Sequence, residues 1–80
     1  MEYQIALSPL AQKDLGRISD PRRKDRITVI LLALRTEPEL GKKLKGELEG
    51  YYSHQVWPYR IIYQIIDSDH TVLIVRIKDR

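Results

Sequence analysis

The sequence predicts a single α+β domain over residues 1–80: an N-terminal strand, two helices, then a three-stranded antiparallel meander, with the helices packed on one face of the sheet. Three observations predict it. Ser8-Pro9 and Asp20-Pro21 each place a capping side chain before a proline, and apolar residues follow at helical spacing. From Tyr51 onward the hydrophobic period switches to two. Turn-forming residues then divide the C-terminal part into three strands.

Tyr3, Ile5 and Leu7 alternate with Glu2, Gln4 and Ala6, the pattern of a short strand with one apolar face. Ser8 caps the first helix and Pro9 opens it; Ala11, Leu15 and Ile18 form its stripe, and it is expected to end near Ser19. Asp20 and Pro21 start the second helix, whose apolar face carries Ile27, Ile30, Leu31 and Leu34. Arg22, Arg23, Lys24 and Arg26 crowd its first turns, where the helix dipole disfavours cations, so they read as a solvated face or a phosphate-tracking patch. Thr36 to Gly50, with Pro38 and three glycines among charged residues, reads as a polar connection. Strands follow at Tyr51–Val56, Tyr59–Ile66 and Thr71–Ile77, broken by Trp57-Pro58 and by Asp67-Ser68-Asp69-His70.

Hydrophobic residues make up 42% and charged residues 31%, a balance typical of soluble globular chains. A chain of 80 residues has a thin core, so a tight partner would add much to its stability. Without cysteine there is neither a disulfide framework nor a thiolate metal site, and two histidines far apart in sequence argue against zinc; no cofactor or metal is expected. No apolar run approaches a membrane span and the N-terminus alternates like a strand, which points to the cytoplasm. The net charge of +3 favours anionic partners without choosing among them.

The chemistry concentrates in Val56-Trp57-Pro58-Tyr59-Arg60-Ile61-Ile62-Tyr63, where an arginine opens an otherwise apolar and aromatic strand. Arg60 must pair with a carboxylate such as Glu47 or Glu49, reach solvent at the strand end, or meet an anionic ligand. Arg76 and Lys78 can share its face by period two, or shield an edge strand. Lys42, Lys43 and Lys45 lack the spacing of a phosphate loop and form either a solvated loop or part of a phosphate-binding set. Tyr59 and Tyr63 alternate with Arg60 and read as core. His54 falls on the face of Tyr52 and Val56, where a hydrogen-bonded, half-buried imidazole is expected, and His70 reads as a surface turn residue. Trp57, in a hairpin turn, is hard to bury; exposed, it suits a partner surface or a nucleotide stack.

Leu44-Lys45-Gly46, the Tyr52-to-Tyr63 hairpin with its Tyr59-Arg60-Ile61-Ile62-Tyr63, and the ending Val75-Arg76-Ile77-Lys78-Asp79-Arg80 resemble the RelE/ParE toxins of prokaryotic toxin-antitoxin modules over nearly the whole chain. The resemblance implies either a ribosome-dependent endoribonuclease, which cuts messenger RNA with the RNA's own 2′-hydroxyl as nucleophile, or a poison of DNA gyrase. It also implies a partner, an acidic helical antitoxin segment that covers Arg60 and its neighbours. On the ribonuclease reading Arg60 and Arg80 match the family's two strand arginines and take catalytic roles, with Lys42, Lys43, Lys45, Arg76 and Lys78 holding RNA phosphates.

Two positions that are basic in active ribonuclease relatives are Ser53 and Gln55 here, and neither is an efficient proton acceptor near neutral pH. The chain stops at Arg80 where many relatives continue with a tail carrying a tyrosine or histidine, whose contribution is therefore expected to be missing. These departures also allow an antitoxin-binding relative that has lost toxicity.

Overall fold

Both helix starts form as their capping residues dictate. In the computed structural model, which describes residues 2–79, the Ser8 hydroxyl accepts the Ala11 N–H at 3.1 Å and opens α1 (Pro9–Gly16). The Asp20 carboxylate accepts the Arg22 N–H at 2.9 Å and opens α2 (Pro21–Ala33). Helix α1 stops at Gly16, short of the expected Ser19, and Ile18 drops into the core from the link that follows.

The strands are β1 (Gln4–Leu7), β2 (Lys42–Lys43), β3 (Tyr51–Val56), β4 (Tyr59–Ile66) and β5 (Thr71–Asp79), assembled into one sheet in the order β1-β5-β4-β3-β2. β3, β4 and β5 are the expected antiparallel meander, and β1 adds to β5 in parallel, with Ile5 beside Val72 and Leu7 beside Ile74. The sheet is therefore mixed rather than purely antiparallel.

The segment expected to be an irregular connection contributes β2 and a 3₁₀ turn, Gly46–Leu48. A two-residue strand has no periodicity to display. What holds it is tertiary: the Tyr63 hydroxyl donates to the Pro38 carbonyl and accepts the Gly41 N–H, both at 2.8 Å. A Cβ on Gly41 would lie 2.8 Å from that hydroxyl and from the Ser53 carbonyl oxygen, so the approach requires glycine.

The core lies between the helices and one sheet face: Ala11, Ile18, Ile27, Leu31 and Leu34 meet Ile61, Tyr63, Val72, Ile74 and Ile77. Ile74 and Ile77 are an odd number of residues apart yet both are buried. A β-bulge at Val75 makes this possible, because Tyr63 pairs with Ile74 while the preceding Ile62 pairs with Arg76, and the extra residue reverses the alternation.

His70 is not the plain surface residue that its turn position suggested. Left-handed at φ 52°, it stacks on Tyr3 with ring centroids 3.9 Å apart, and its Nε2 is buried without a partner among the described residues. Tyr3 donates its hydroxyl to Asp67 at 2.9 Å, so β1 is fastened to the β4–β5 turn.

Candidate functional site

The sheet face away from the helices presents its charge at the hairpin end. Arg60 lies between Gln55 on β3 and Lys78 on β5 in direct cross-strand register, and antiparallel partners project to the same side. Gln55, Pro58, Tyr59, Arg60, Lys78 and Asp79 line a cleft of about 300 Å³ there. Arg60 is exposed, and among the described residues its guanidinium makes neither an ion pair nor a hydrogen bond; the alternative pairing with Glu47 or Glu49 does not form. Two cations directly opposite one another on neighbouring strands repel, which costs a fold some stability and is relieved by an anion.

The next row along the sheet is Lys42, Ser53, Ile62 and Arg76. Lys42 therefore joins the face that carries Arg60. Lys43 pairs with Tyr52 and falls on the opposite side, lining a separate depression with Tyr3, Glu39 and Asp67. Lys45 is exposed at the start of the 3₁₀ turn, outside the cleft. The lysine run is thus divided by strand alternation.

Arg76 is not available to an anion in the way its spacing suggested. Its Nε and one terminal nitrogen donate to the Asp14 carboxylate at 2.8 and 3.2 Å, and the Ile77 backbone N–H donates to the same group at 2.9 Å. The bond to Arg76 holds the Asp14 carboxyl below the usual carboxylate range; burial opposes this, and the Ile77 N–H reinforces it. Beyond Ile74 the edge of β5 opposite β4 has no strand beside it among the described residues, and Asp14 supplies the acceptor that a strand would have offered.

His54 pairs with Ile61, half-buried on the helix side as its alternation predicted, but its imidazole lacks the expected hydrogen bond among the described residues. No imidazole therefore faces the cleft. Ser53 and Gln55 do face that side, and Trp57 sits in the turn beside it, 58% exposed. Tyr63 is fully buried and stacks on Tyr52, while Tyr59 lines the cleft from a half-buried position. Arg80 lies outside the described residues. No group of three or more metal-ligating side chains occurs among the described residues.

Asp14 and the Tyr63 hydroxyl are the supporting groups that sequence reading missed. Asp14 carried a usable signal: a carboxylate in the last turn of a helix opposes the dipole, so something else must hold it there. The Tyr63 hydroxyl carried none, since its partners are backbone atoms of a distant loop.

Residues 5–80 match the family of the ParE toxin of the type II toxin-antitoxin system, parDE. The chain belongs to that family. This ParE-family toxin is 33% identical over 79 residues to Toxin RelE of Mycobacterium tuberculosis, covering 98% of this chain and 81% of the relative. It is also 33% identical over 82 residues to Toxin RelG of the same organism, covering 100% of this chain and 93% of the relative. The crystal structure of the toxin-antitoxin complex RelBE2 from M. tuberculosis superposes with a TM-score of 0.89 at 32% identity, with both chains covered in full. As a toxin-antitoxin toxin of RelE-like fold, the chain has the architecture that its sequence resemblance implied.

Proposed function

We propose that this toxin is an endoribonuclease that cuts messenger RNA on the ribosome and so stops translation. The observation that supports it is the row Gln55–Arg60–Lys78, with two unneutralised cations facing each other across an open cleft. Arg60 binds the non-bridging oxygens of the scissile phosphate, and its planar donors hold the added negative charge of the pentavalent transition state. The RNA 2′-oxygen forms the new bond to phosphorus and the P–O5′ bond breaks, leaving a 2′,3′-cyclic phosphate and a 5′-hydroxyl. Lys78 donates a hydrogen bond or proton to the departing oxygen. The 2′-hydroxyl proton leaves to water or to a ribosomal group, since Ser53 and Gln55 are poor acceptors and His54 faces the helices. Arg80 is a second arginine for the same phosphate.

The antitoxin that this function requires fits an apolar groove between α2 and β3. Asp25, Arg26, Val29, Ile30, Gln55 and Val56 line it, and Gln55 is shared with the cationic cleft, so one acidic helical segment reaches both. Its place of action is the cytoplasm, with messenger RNA and ribosomes as partners; no described helix is long and apolar enough to cross a membrane.

Primer extension on messenger RNA after brief induction, with Arg60→Ala alongside, tests the proposal. Cuts within codons that vanish in the variant are expected, and intact messenger RNA would overturn the reading. The lack of an imidazole in the cleft, with Ser53 and Gln55 on its side of the sheet, favours one alternative, inhibition of DNA gyrase through protein contacts alone. Growth arrest without cuts, together with blocked supercoiling by purified toxin, selects it.

A further inference from the structure

Two backbone groups on the edge of β5 that β1 leaves uncovered are taken by side chains from the two ends of α1. The Ser8 hydroxyl, which caps the helix, donates to the Val75 carbonyl at 2.7 Å, and the Asp14 carboxylate, in the last turn, accepts the Ile77 N–H at 2.9 Å. β1 pairs with β5 only as far as Ile74, so α1 takes over at the bulge residue and just beyond it. Lys78 comes next, and it lines the cationic cleft. Its place opposite Arg60 depends on the bulge. If the extra residue were absorbed while Tyr63 kept its pairing with Ile74, Ile77 would stand opposite Arg60 and Lys78 would turn toward the helices. The two cations repel, so they do nothing to hold that register themselves. Burial draws Ile77 inward but is non-directional, whereas the bonds from α1 fix the backbone at Val75 and Ile77.

We propose that Asp14 is a positioning residue for RNA cleavage: with Ser8 it clamps β5 past the Val75 bulge and so keeps Lys78 opposite Arg60 at the scissile phosphate. This rests on the ribonuclease reading. Asp14 bonds to Arg76 and Ile77 rather than to Arg60 or Lys78, so its effect on the reaction passes through the strand. A group that donates to a departing oxygen must be held in line with it, and a small displacement forfeits much of its contribution. The pairing that puts two cations on one phosphate is thus maintained from the far edge of the strand, by a helix that the RNA need not touch.

The test is a double-mutant cycle on messenger RNA cleavage by programmed ribosomes, with wild type, Asp14→Ala, Asp14→Asn, Lys78→Ala and the Asp14→Ala, Lys78→Ala pair, each assayed where circular dichroism shows it folded. Lys78→Ala is expected to lower kcat by about a hundredfold, the contribution of a proton donor. Asp14→Ala is expected to lower kcat by about tenfold or more with KM within about threefold of wild type, because alignment is lost rather than binding. In the Lys78→Ala background the same change should cost less than about twofold, since the group it positions is gone. Asp14→Asn keeps an oxygen for the Ile77 N–H and should recover most of kcat. Ser8→Ala, which frees the Val75 carbonyl, enters the same cycle, so the collapse of one variant leaves the other to decide. NMR of the free toxin reads the register without cleavage: the cross-strand amide contact between Arg60 and Lys78 should be present in wild type and weakened in Asp14→Ala. Wild-type kcat in folded Asp14→Ala, an equal loss with and without Lys78, or an unchanged Arg60–Lys78 contact would each overturn the positioning role while leaving the ribonuclease intact. A wild type that cuts no messenger RNA would remove the ribonuclease function and this role with it.

Discussion

The Asp14 carboxylate receives the Arg76 Nε–H at 2.8 Å, and by also accepting the Ile77 N–H it lets a helix close the edge of β5 that β1 leaves uncovered. The carboxylate is only 8% exposed whereas the guanidinium is 35% exposed. Removal of Asp14 therefore leaves Arg76 able to reach water but strands the Ile77 N–H. Asp14→Ala is expected to lower unfolding free energy by about 1–3 kcal/mol, measured by urea denaturation.

The same pair gives a pH dependence of known sign. The folded-state pKa of Asp14 lies below its ordinary 3.8, so its contribution is complete above that value and is lost as pH falls through the folded-state one. The stability gap between wild type and Asp14→Asn should accordingly be wide at neutral pH and shrink in strong acid. An equal gap at both would show that the ionised carboxylate contributes nothing.

Arg60 should be dispensable for folding and indispensable for activity. Arg60→Ala relieves its repulsion with Lys78, so the urea midpoint is expected to hold or rise slightly. Cleavage in a translating extract should fall by about a hundredfold or more, the usual effect of deleting a charge-stabilising donor. A large fall in stability would instead mark Arg60 as structural.

Tyr63→Phe keeps the buried ring and removes only its hydroxyl, leaving the Gly41 N–H and the Pro38 carbonyl without their partner. The expected cost is about 1–2 kcal/mol, and Gly41→Ala should destabilise as well, because its Cβ meets the Ser53 backbone. Either change frees the segment that carries Lys42, so amide exchange at residues 41–43 should accelerate more than in the central strands.

Lys42 and Lys43 are neighbours in sequence and should differ in effect. Lys42 shares the open face with Ser53, whereas Lys43 faces the other way. Lys42→Ala is expected to weaken RNA cleavage and reduce its salt dependence, and Lys43→Ala to leave both nearly unchanged. Equal effects in a cleavage assay across a salt series would refute the assignment of faces.

The helices were legible because their starts are written locally: Ser8-Pro9 and Asp20-Pro21 act within one turn, and the apolar stripes behind them decide which side is buried. The meander was legible because period two runs through β3 and β4. β2 was not legible, since two lysines contain no pattern and the strand exists through a hydroxyl from Tyr63. Arg60 was singled out as an arginine that needs a carboxylate, solvent or an anionic ligand, and among the described residues no carboxylate pairs with it. Arg76 was grouped with it by counting in twos, and that count could not include the Asp14 of a helix far away in sequence, nor the bulge at Val75. Whether a residue belongs to a face is a local property; whether its charge is already satisfied is not.

Ser53, Gln55, Arg60 and Lys78 stand on the outer side of strands whose inward residues hold the core. Substitution at these four positions consequently leaves the hydrophobic interior untouched. On the proposed reading, toxicity and foldability are inherited through different codons, and a lineage can disarm this protein, or arm it again, by point changes at Ser53, Arg60 or Lys78 that its core and its helix-side groove do not register.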